Sequence, residues 1–126
     1  MVWIWIMLGG AIGAAGRHAA SLLTQASVGD SFPFGTLLVN VLGSLAIGFL
    51  FFLTETGGNY DLGENNRAFL ITGILGGFTT FSAFSLQTLQ LLESGQPGRA
   101  LANAALSLFL CLAACALGTS LARAIQ

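Results

Sequence analysis

The sequence predicts an all-α integral membrane protein whose 126 residues form one transmembrane domain. Apolar residues make up 55% of the chain and charged residues 7%, the mean hydropathy is +0.83, and lysine is absent. Four apolar runs are each close to the roughly 20 residues that cross the hydrocarbon of a bilayer. The first run lacks the basic n-region of a signal peptide, so we expect it to be a membrane helix. We therefore expect four transmembrane helices within residues 1–126, with no soluble domain.

Segments rich in turn-forming residues separate the predicted helices. The helices are expected at about residues 2–24, 35–54, 67–92 and 99–122. Glycine, proline, serine, asparagine and aspartate concentrate in the connections, which cover residues 25–34, 55–66 and 93–98. All five acidic residues fall in or beside these connections, namely Asp30, Glu55, Asp61, Glu64 and Glu93. No carboxylate is therefore expected inside the membrane.

The third helix is predicted to be broken near residues 76–80. Residues 73–87 read Gly-Ile-Leu-Gly-Gly-Phe-Thr-Thr-Phe-Ser-Ala-Phe-Ser-Leu-Gln, with glycines and β-branched threonines in the middle of a membrane helix. We expect the chain to uncoil at the glycines, and an uncoiled turn in a bilayer must be satisfied by protein, an ion or water. Just after the break, Phe81 and Phe84 are three residues apart and share one helical face. This combination suggests an ion site.

The distribution of arginines predicts a two-fold dimer. Arg67 and Arg123 fall on one side of the membrane, and Arg17 and Arg99 fall on the other. An even split of positive charge gives no preferred orientation, so the chain is expected to insert both ways. Four short helices cannot easily enclose a pore while keeping polar groups away from lipid. An antiparallel, dual-topology homodimer satisfies both requirements.

Two polar side chains are expected within the membrane. A charge such as Arg17 costs roughly 2.5 to 3.5 kcal/mol at the bilayer centre on insertion scales. Arg17 is therefore expected to face protein or water, or to extend its guanidinium to the headgroups. Asn40 lies a few residues into the second helix. Its amide can donate hydrogen bonds to an anion or join two helices.

Small residues indicate where the helices pack. Gly9 and Gly13 are four residues apart in the first helix, and Ser44 and Gly48 are four apart in the second. This spacing places both members of each pair on one helical face, where a neighbouring backbone can approach closely. The pairs therefore predict helix packing and carry no function by themselves.

The fourth predicted helix carries a weakly polar stripe that could line a permeation path. The stripe repeats every four residues and consists of Asn103, Ser107, Cys111, Cys115 and Thr119. The two cysteines supply too few ligands for a zinc site. Isolated buried cysteines usually behave as small apolar residues, which is the reading we favour over a metal or disulfide role.

Three segments together resemble the Fluc, or CrcB, family of small fluoride channels. They are Gly-Gly-Ala-Ile-Gly-Ala-Ala-Gly-Arg at 9–17, Gly-Thr-Leu-Leu-Val-Asn at 35–40, and Gly-Gly-Phe-Thr-Thr-Phe-Ser-Ala-Phe-Ser at 76–85. The resemblance implies a passive fluoride-selective channel in a prokaryotic inner membrane, where it exports fluoride. It also implies a dual-topology homodimer with two parallel pores and one structural Na⁺ at its centre, and no nucleic-acid partner.

The same resemblance assigns roles to individual residues. The fluoride pathway would be formed by Asn40, Phe81, Ser82, Phe84, Ser107, Cys111 and Cys115. Arg17 would lie in the aqueous vestibule and raise the local anion concentration. The backbone carbonyls of Gly76 and Thr79, with the same pair from the second copy, would hold the Na⁺.

Two departures from the family pattern and two rival functions complete the interpretation. Gln87 stands where relatives often have an acid, and Cys111 and Cys115 stand where relatives tend to have hydroxyls. Because thiols are weaker donors, permeation is expected to persist at a lower rate. A small dual-topology proton-coupled exporter is the alternative, but it needs a membrane carboxylate. An enzyme is not expected, because no nucleophile and base are paired in the sequence.

Overall fold

The structure is a computed structural model that describes residues 1–55 and 60–126. All regular secondary structure in that part of the chain is helical. Its elements are α1 (Val2–Val28), α2 (Phe34–Leu53), α3 (Gly63–Arg67), a π-helical segment (Ala68–Leu75), α4 (Gly76–Phe78), α5 (Phe81–Glu93) and α6 (Pro97–Ala124). The elements from α3 to α5 correspond to the predicted third helix and are together called the third pass. Part of the predicted 55–66 connection, residues 56–59, lies outside the described residues.

Within residues 1–55 and 60–126, three helical stretches are both long and apolar enough to cross a membrane. They are Phe34–Leu53, Gly63–Glu93 and Pro97–Ala124. The helix α1 has 27 residues, and it falls outside this set although its length is sufficient. The charged Arg17 and the polar His18 lie within it and lower its hydropathy. The chain is thus a helical, multi-pass membrane protein.

The helix ends follow the turn chemistry of the connections. The first helix extends four residues beyond the predicted end at residue 24, and stops before Gly29, which has a φ of 79°. Similarly, Gly95 has a φ of 74° after α5, and Pro97 is the first residue of α6. Glycine adopts positive φ without a steric penalty, and proline at a helix start loses no intrahelical bond. These two residues therefore set the turn between α5 and α6.

Glycines bring the backbones of two helix pairs into direct contact. Gly13 of α1 lies so close to the third pass that an added Cβ would fall against the carbonyl oxygen of Ile74. Gly48 of α2 lies against the backbone of Cys115 in α6, and Gly118 of α6 lies against that of Leu45. Such contacts let helices approach closely without large side chains between them. The pair α1 with the third pass and the pair α2 with α6 are therefore packed through their backbones.

The remaining surface of the chain is largely apolar. Large side chains such as Trp3, Leu101 and Phe109 are exposed by 68 to 76%. The helix α5 differs from the long helices because none of its residues is buried within the chain. An exposed apolar surface of this extent is the expected form of a protein covered by lipid or by further subunits.

Candidate functional site

The third pass is interrupted at two threonines. Thr79 has φ −85° and ψ 158°, and Thr80 has φ −155° and ψ 118°, so both residues are extended between α4 and α5. The interruption lies inside the predicted range 76–80. The expectation that the glycines uncoil was wrong, because Gly76 keeps helical angles of −63° and −36°.

Asn40 of α2 satisfies the exposed peptide groups of the interruption. Its Oδ1 accepts a hydrogen bond from the backbone N–H of Thr80 at 2.8 Å. Its Nδ2 donates to the backbone carbonyl of the same residue at 3.0 Å. Of the two roles that the sequence left open for Asn40, the structure therefore supports the joining of two helices, and one N–H of its amide is left over for another acceptor.

The hydroxyl of Thr80 begins the next helix. Its Oγ1 accepts a hydrogen bond from the backbone N–H of Ala83 at 3.2 Å, which is the usual N-cap arrangement. The same oxygen lies 3.3 Å from Oγ of Ser82. Thr80 thus fixes the start of α5, and the sequence interpretation had given this residue no role.

The two carbonyls expected to bind Na⁺ lie at the interruption. The carbonyl of Gly76 has lost its usual helical donor, because the N–H four residues later, that of Thr80, donates to Asn40. The carbonyl of Thr79 accepts a long hydrogen bond of 3.5 Å from Nη1 of Arg17. Carbonyl oxygens are suitable ligands for a hard cation, so Gly76 fits such an ion, while Thr79 shares its oxygen with a guanidinium.

A cavity of about 620 Å³ opens beside the interruption. Its wall is predominantly apolar, with few polar groups. The predicted residues that it brings together are Asn40, Gly76, Thr79, Phe81, Phe84, Ser107 and Cys111. The rings of Phe81 and Phe84 are 5.3 Å apart between centroids and tilted by 47°. Residues from α2, the third pass and α6 thus meet around one ring pair.

Three other predicted residues lie outside this wall. Ser82 is exposed beside Thr80, and the backbone of Cys115 packs on Gly48. Arg17 is half-buried, with its guanidinium directed at the Thr79 carbonyl. The vestibule role of Arg17 and the pathway roles of Ser82 and Cys115 remain predictions.

Two polar residues of α6, Asn103 and Ser107, are buried. Oγ of Ser107 is buried and has no hydrogen-bond partner in the described part of the chain. One turn earlier, Asn103 is only 1% exposed, and its Nδ2 donates to Oγ1 of Thr88 at 2.9 Å. The four-residue period of polar side chains in α6 identified Asn103 and Ser107 from the sequence. Thr88 was missed, because an isolated threonine in an apolar helix gives no signal.

A second, more polar cavity of about 460 Å³ lies at the end of α5. Gln87 and Gln90 line it from α5, and Ser21 and Thr24 line it from α1. The side-chain oxygen of Gln87 is buried there and has no protein partner in the described residues. Since Phe84 and Gln87 are one turn apart, α5 contributes to both cavities.

Ionisable groups contribute little to the site. Within residues 1–55 and 60–126, no three His, Cys, Asp or Glu side chains come close enough to hold a metal ion. Glu93 is the last residue of α5, Glu64 lies in the first turn of α3, and Asp30 lies between α1 and α2. No Asp, Glu, His, Lys or Arg lines the larger cavity within the described residues, whereas Asp30 lines the smaller one.

Fold and site together define a small polytopic membrane protein with a broken helix and a paired-ring cavity. A family model described as CrcB-like protein, Camphor Resistance (CrcB), matches residues 4–119. The chain therefore belongs to the CrcB family.

Curated relatives match along most of their length. A protein of Opitutus terrae is 53% identical over 117 residues, which are 93% of this chain and 89% of the relative. One of Methylocella silvestris is 47% identical over 126 residues, or 100% of this chain and 96% of the relative. One of Parabacteroides distasonis is 47% identical over 120 residues, which are 95% of this chain and 91% of the relative. All three relatives are named fluoride-specific ion channel FluC.

Proposed function

We propose that this protein is a passive, fluoride-selective ion channel that exports fluoride and lowers its cytoplasmic concentration. The observation that carries the proposal is the pair of rings, Phe81 and Phe84, that follows the interruption and lines the same cavity as Asn40 and Ser107. Membership of the CrcB family and the names of the relatives support the same function. A channel performs no covalent chemistry, so the protein is not an enzyme.

The chemistry of the cavity suits a small, dehydrated anion. The edges of aromatic rings carry partial positive charge, so Phe81 and Phe84 can attract fluoride without binding it as strongly as a cation would. The unpartnered hydroxyl of Ser107 and the remaining N–H of Asn40 are donors available to the ion. Weak, successive interactions of this kind allow an ion to enter and also to leave, as conduction requires.

The proposed assembly is an antiparallel, dual-topology homodimer with four transmembrane helices in each subunit. The large cavity is open and bordered by exposed apolar side chains, among them Phe81, which is 79% exposed. A second copy would cover this surface, and the dimer would contain two pores. We place it in the inner membrane of a prokaryote.

A structural Na⁺ at the dimer centre is part of the proposal. Two carbonyls from one chain, those of Gly76 and Thr79, are too few for a hard cation, and the second copy would supply two more. When bound, the ion would hold the two interruptions together by charge. Asn40 and Thr80 shape the backbone that presents these oxygens.

A proton-coupled exporter is the alternative function. Such a transporter needs an acidic side chain within the membrane to exchange protons. In the described residues the acids lie at helix ends or between helices, which supports the channel over the exporter.

The test is fluoride efflux from proteoliposomes, followed with a fluoride electrode. Liposomes loaded with fluoride and carrying the protein should release it rapidly without an applied proton gradient. Phe81→Ile and Phe84→Ile should each slow release about fivefold, because each removes one aromatic edge, a contact of the order of 1 kcal/mol. Phe109→Ile, which changes an exposed ring of α6 outside the cavity, is the matched control and should behave as wild type.

Three outcomes would contradict the proposal. Release that depends on a proton gradient would indicate the exporter. Equal release of chloride would remove the selectivity. Unchanged release by both ring variants would show that the cavity is not the path.

A further inference from the structure

The helix that carries the rings is poorly fixed by packing inside its own subunit. None of the 13 residues of α5 is buried within the chain, and Phe81 at its start is highly exposed. Phe81 and Phe84 lie on one face of α5. A modest rotation of the helix about its own axis would therefore move both rings along the cavity wall. Some other interaction must therefore set the rotation of α5.

Polar bonds from α2 and α6 connect to α5 at two levels. Asn40 of α2 holds Thr80 immediately before the helix. Asn103 of α6 holds Thr88, eight residues and about 12 Å further along the axis. Because α2 and α6 are packed through glycine backbones, both asparagines project from a rigid pair of helices.

The bond at Thr88 reaches the peptide of a ring residue. Oγ1 of Thr88 accepts from Nδ2 of Asn103 at 2.9 Å and donates to the backbone carbonyl of Phe84 at 2.7 Å. A hydroxyl that donates on one side and accepts on the other has a fixed orientation. Asn103 is 1% exposed, and a buried amide that loses its partner carries a desolvation cost. The arrangement is therefore resistant to rotation of α5.

We propose that Asn103 is a positioning residue that, through Thr88, fixes the rotation of α5 and hence the orientation of Phe81 and Phe84. The inference deepens the proposed channel function, on which its transport readout rests. Asn103 acts here on another side chain, and no contact between Asn103 and the permeating ion is part of the proposal. The Asn40–Thr80 pair fixes the start of the helix, and the Asn103–Thr88 bond fixes its rotation.

A first experiment tests the ring orientation without transport. A fluorinated phenylalanine is inserted at position 84 of the full-length protein, and its ¹⁹F NMR signal is recorded in detergent. Asn103→Leu and Thr88→Val each remove the bond while keeping similar volume, and each should shift or broaden the signal. Thr88→Ser keeps the hydroxyl and should retain the wild-type signal.

The transport experiment measures coupling between the two residues. Asn103→Leu and Thr88→Val should each slow fluoride efflux by about tenfold, the scale of one buried hydrogen bond. The double variant should be no slower than the slower single variant, because both changes remove the same bond. Thr88→Ser should restore efflux to near the wild-type rate.

The two readouts separate failure of the inference from failure of the function. If the wild-type protein passes no fluoride, the channel is disproved, and the NMR signal still decides the role of Asn103. An unchanged signal in both Asn103→Leu and Thr88→Val overturns the inference. Multiplicative losses of efflux in the double variant, or a loss in Thr88→Ser equal to that in Thr88→Val, overturn it as well.

Discussion

The two halves of the third pass are held in different ways. The first half, from the π-helical segment to α4, contacts α1 through glycine backbones. A Cβ added at Gly9 would lie only 2.9 Å from the Cα atom of Gly73. The second half, α5, has no buried residue in the chain and is connected through asparagine and threonine side chains. The backbone contact fixes where the interruption lies, while the polar bonds fix how the rings face the cavity. Position and orientation are thus set by separate groups.

The largest expected effect comes from breaking the backbone contact. In Gly13→Ala, the new methyl group would overlap the Ile74 carbonyl, and overpacking against a backbone costs about 1 to 3 kcal/mol or more. We expect most of the protein to be lost from the monodisperse peak in detergent after mild heating.

The matched control for this change is Gly10→Ala. In the described part of the chain, no atom other than those of its own helical backbone and chain neighbours lies within 4 Å of a Cβ at Gly10, so this variant should retain wild-type stability. Equal stability of the two variants would show that the tight contact at Gly13 is not needed.

The second largest effect tests the orientation of the rings separately from the position of the interruption. Asn40→Leu leaves the N–H and carbonyl of Thr80 without their partner, at about 1 to 3 kcal/mol for each buried group left unpaired. Fluoride efflux should fall at least about tenfold, since 1.4 kcal/mol corresponds to a factor of ten in rate.

The control for Asn40→Leu is Asn66→Leu, which changes an exposed amide that bonds within its own turn to Leu62. It should leave both efflux and stability near wild type. Wild-type efflux in Asn40→Leu would mean that the interruption keeps its shape without this amide.

The smallest effect concerns the cysteines of α6. Cys111 lines the cavity, whereas Cys115 packs on Gly48. Cys111→Ser should raise fluoride efflux by about two- to threefold, because a hydroxyl is a better donor than a thiol. Cys115→Ser, at a residue outside the cavity wall, should have a smaller effect. A larger effect at Cys115 than at Cys111 would contradict the position of the cavity wall.

The sequence predicted the helical character and the place of the interruption, because composition and long apolar runs are local signals. The prediction that Gly76 and its neighbour would uncoil was wrong for a physical reason. Glycine permits both unwinding and close helix packing, and here the packing use prevails: an added Cβ at Gly77 would contact the backbone of Gly10. Sequence alone does not distinguish these two uses.

Contacts between distant helices were beyond the reach of the sequence. The hydrogen bonds from Asn40 to Thr80 and from Arg17 to Thr79 join residues 40 and 62 positions apart. Periodicity identified which residues share a face of α6, such as Asn103 and Ser107, and that information is local. It did not identify Thr88, because partners across an interface are set by the packing of whole helices.

The π-helical segment Ala68–Leu75 gives the third pass an angular offset. Its amides bond five residues back instead of four, so each turn contains more residues than an α-helical turn. Nη1 of Arg67, just before the segment, donates to the Thr54 carbonyl at 2.6 Å, while the rings after the segment face the cavity. Deleting one residue between 68 and 75 would reduce the angular offset. The bond from Arg67 to Thr54 and the present direction of the rings could then no longer be kept at the same time. The number of residues in this stretch therefore sets the direction of the rings relative to Arg67.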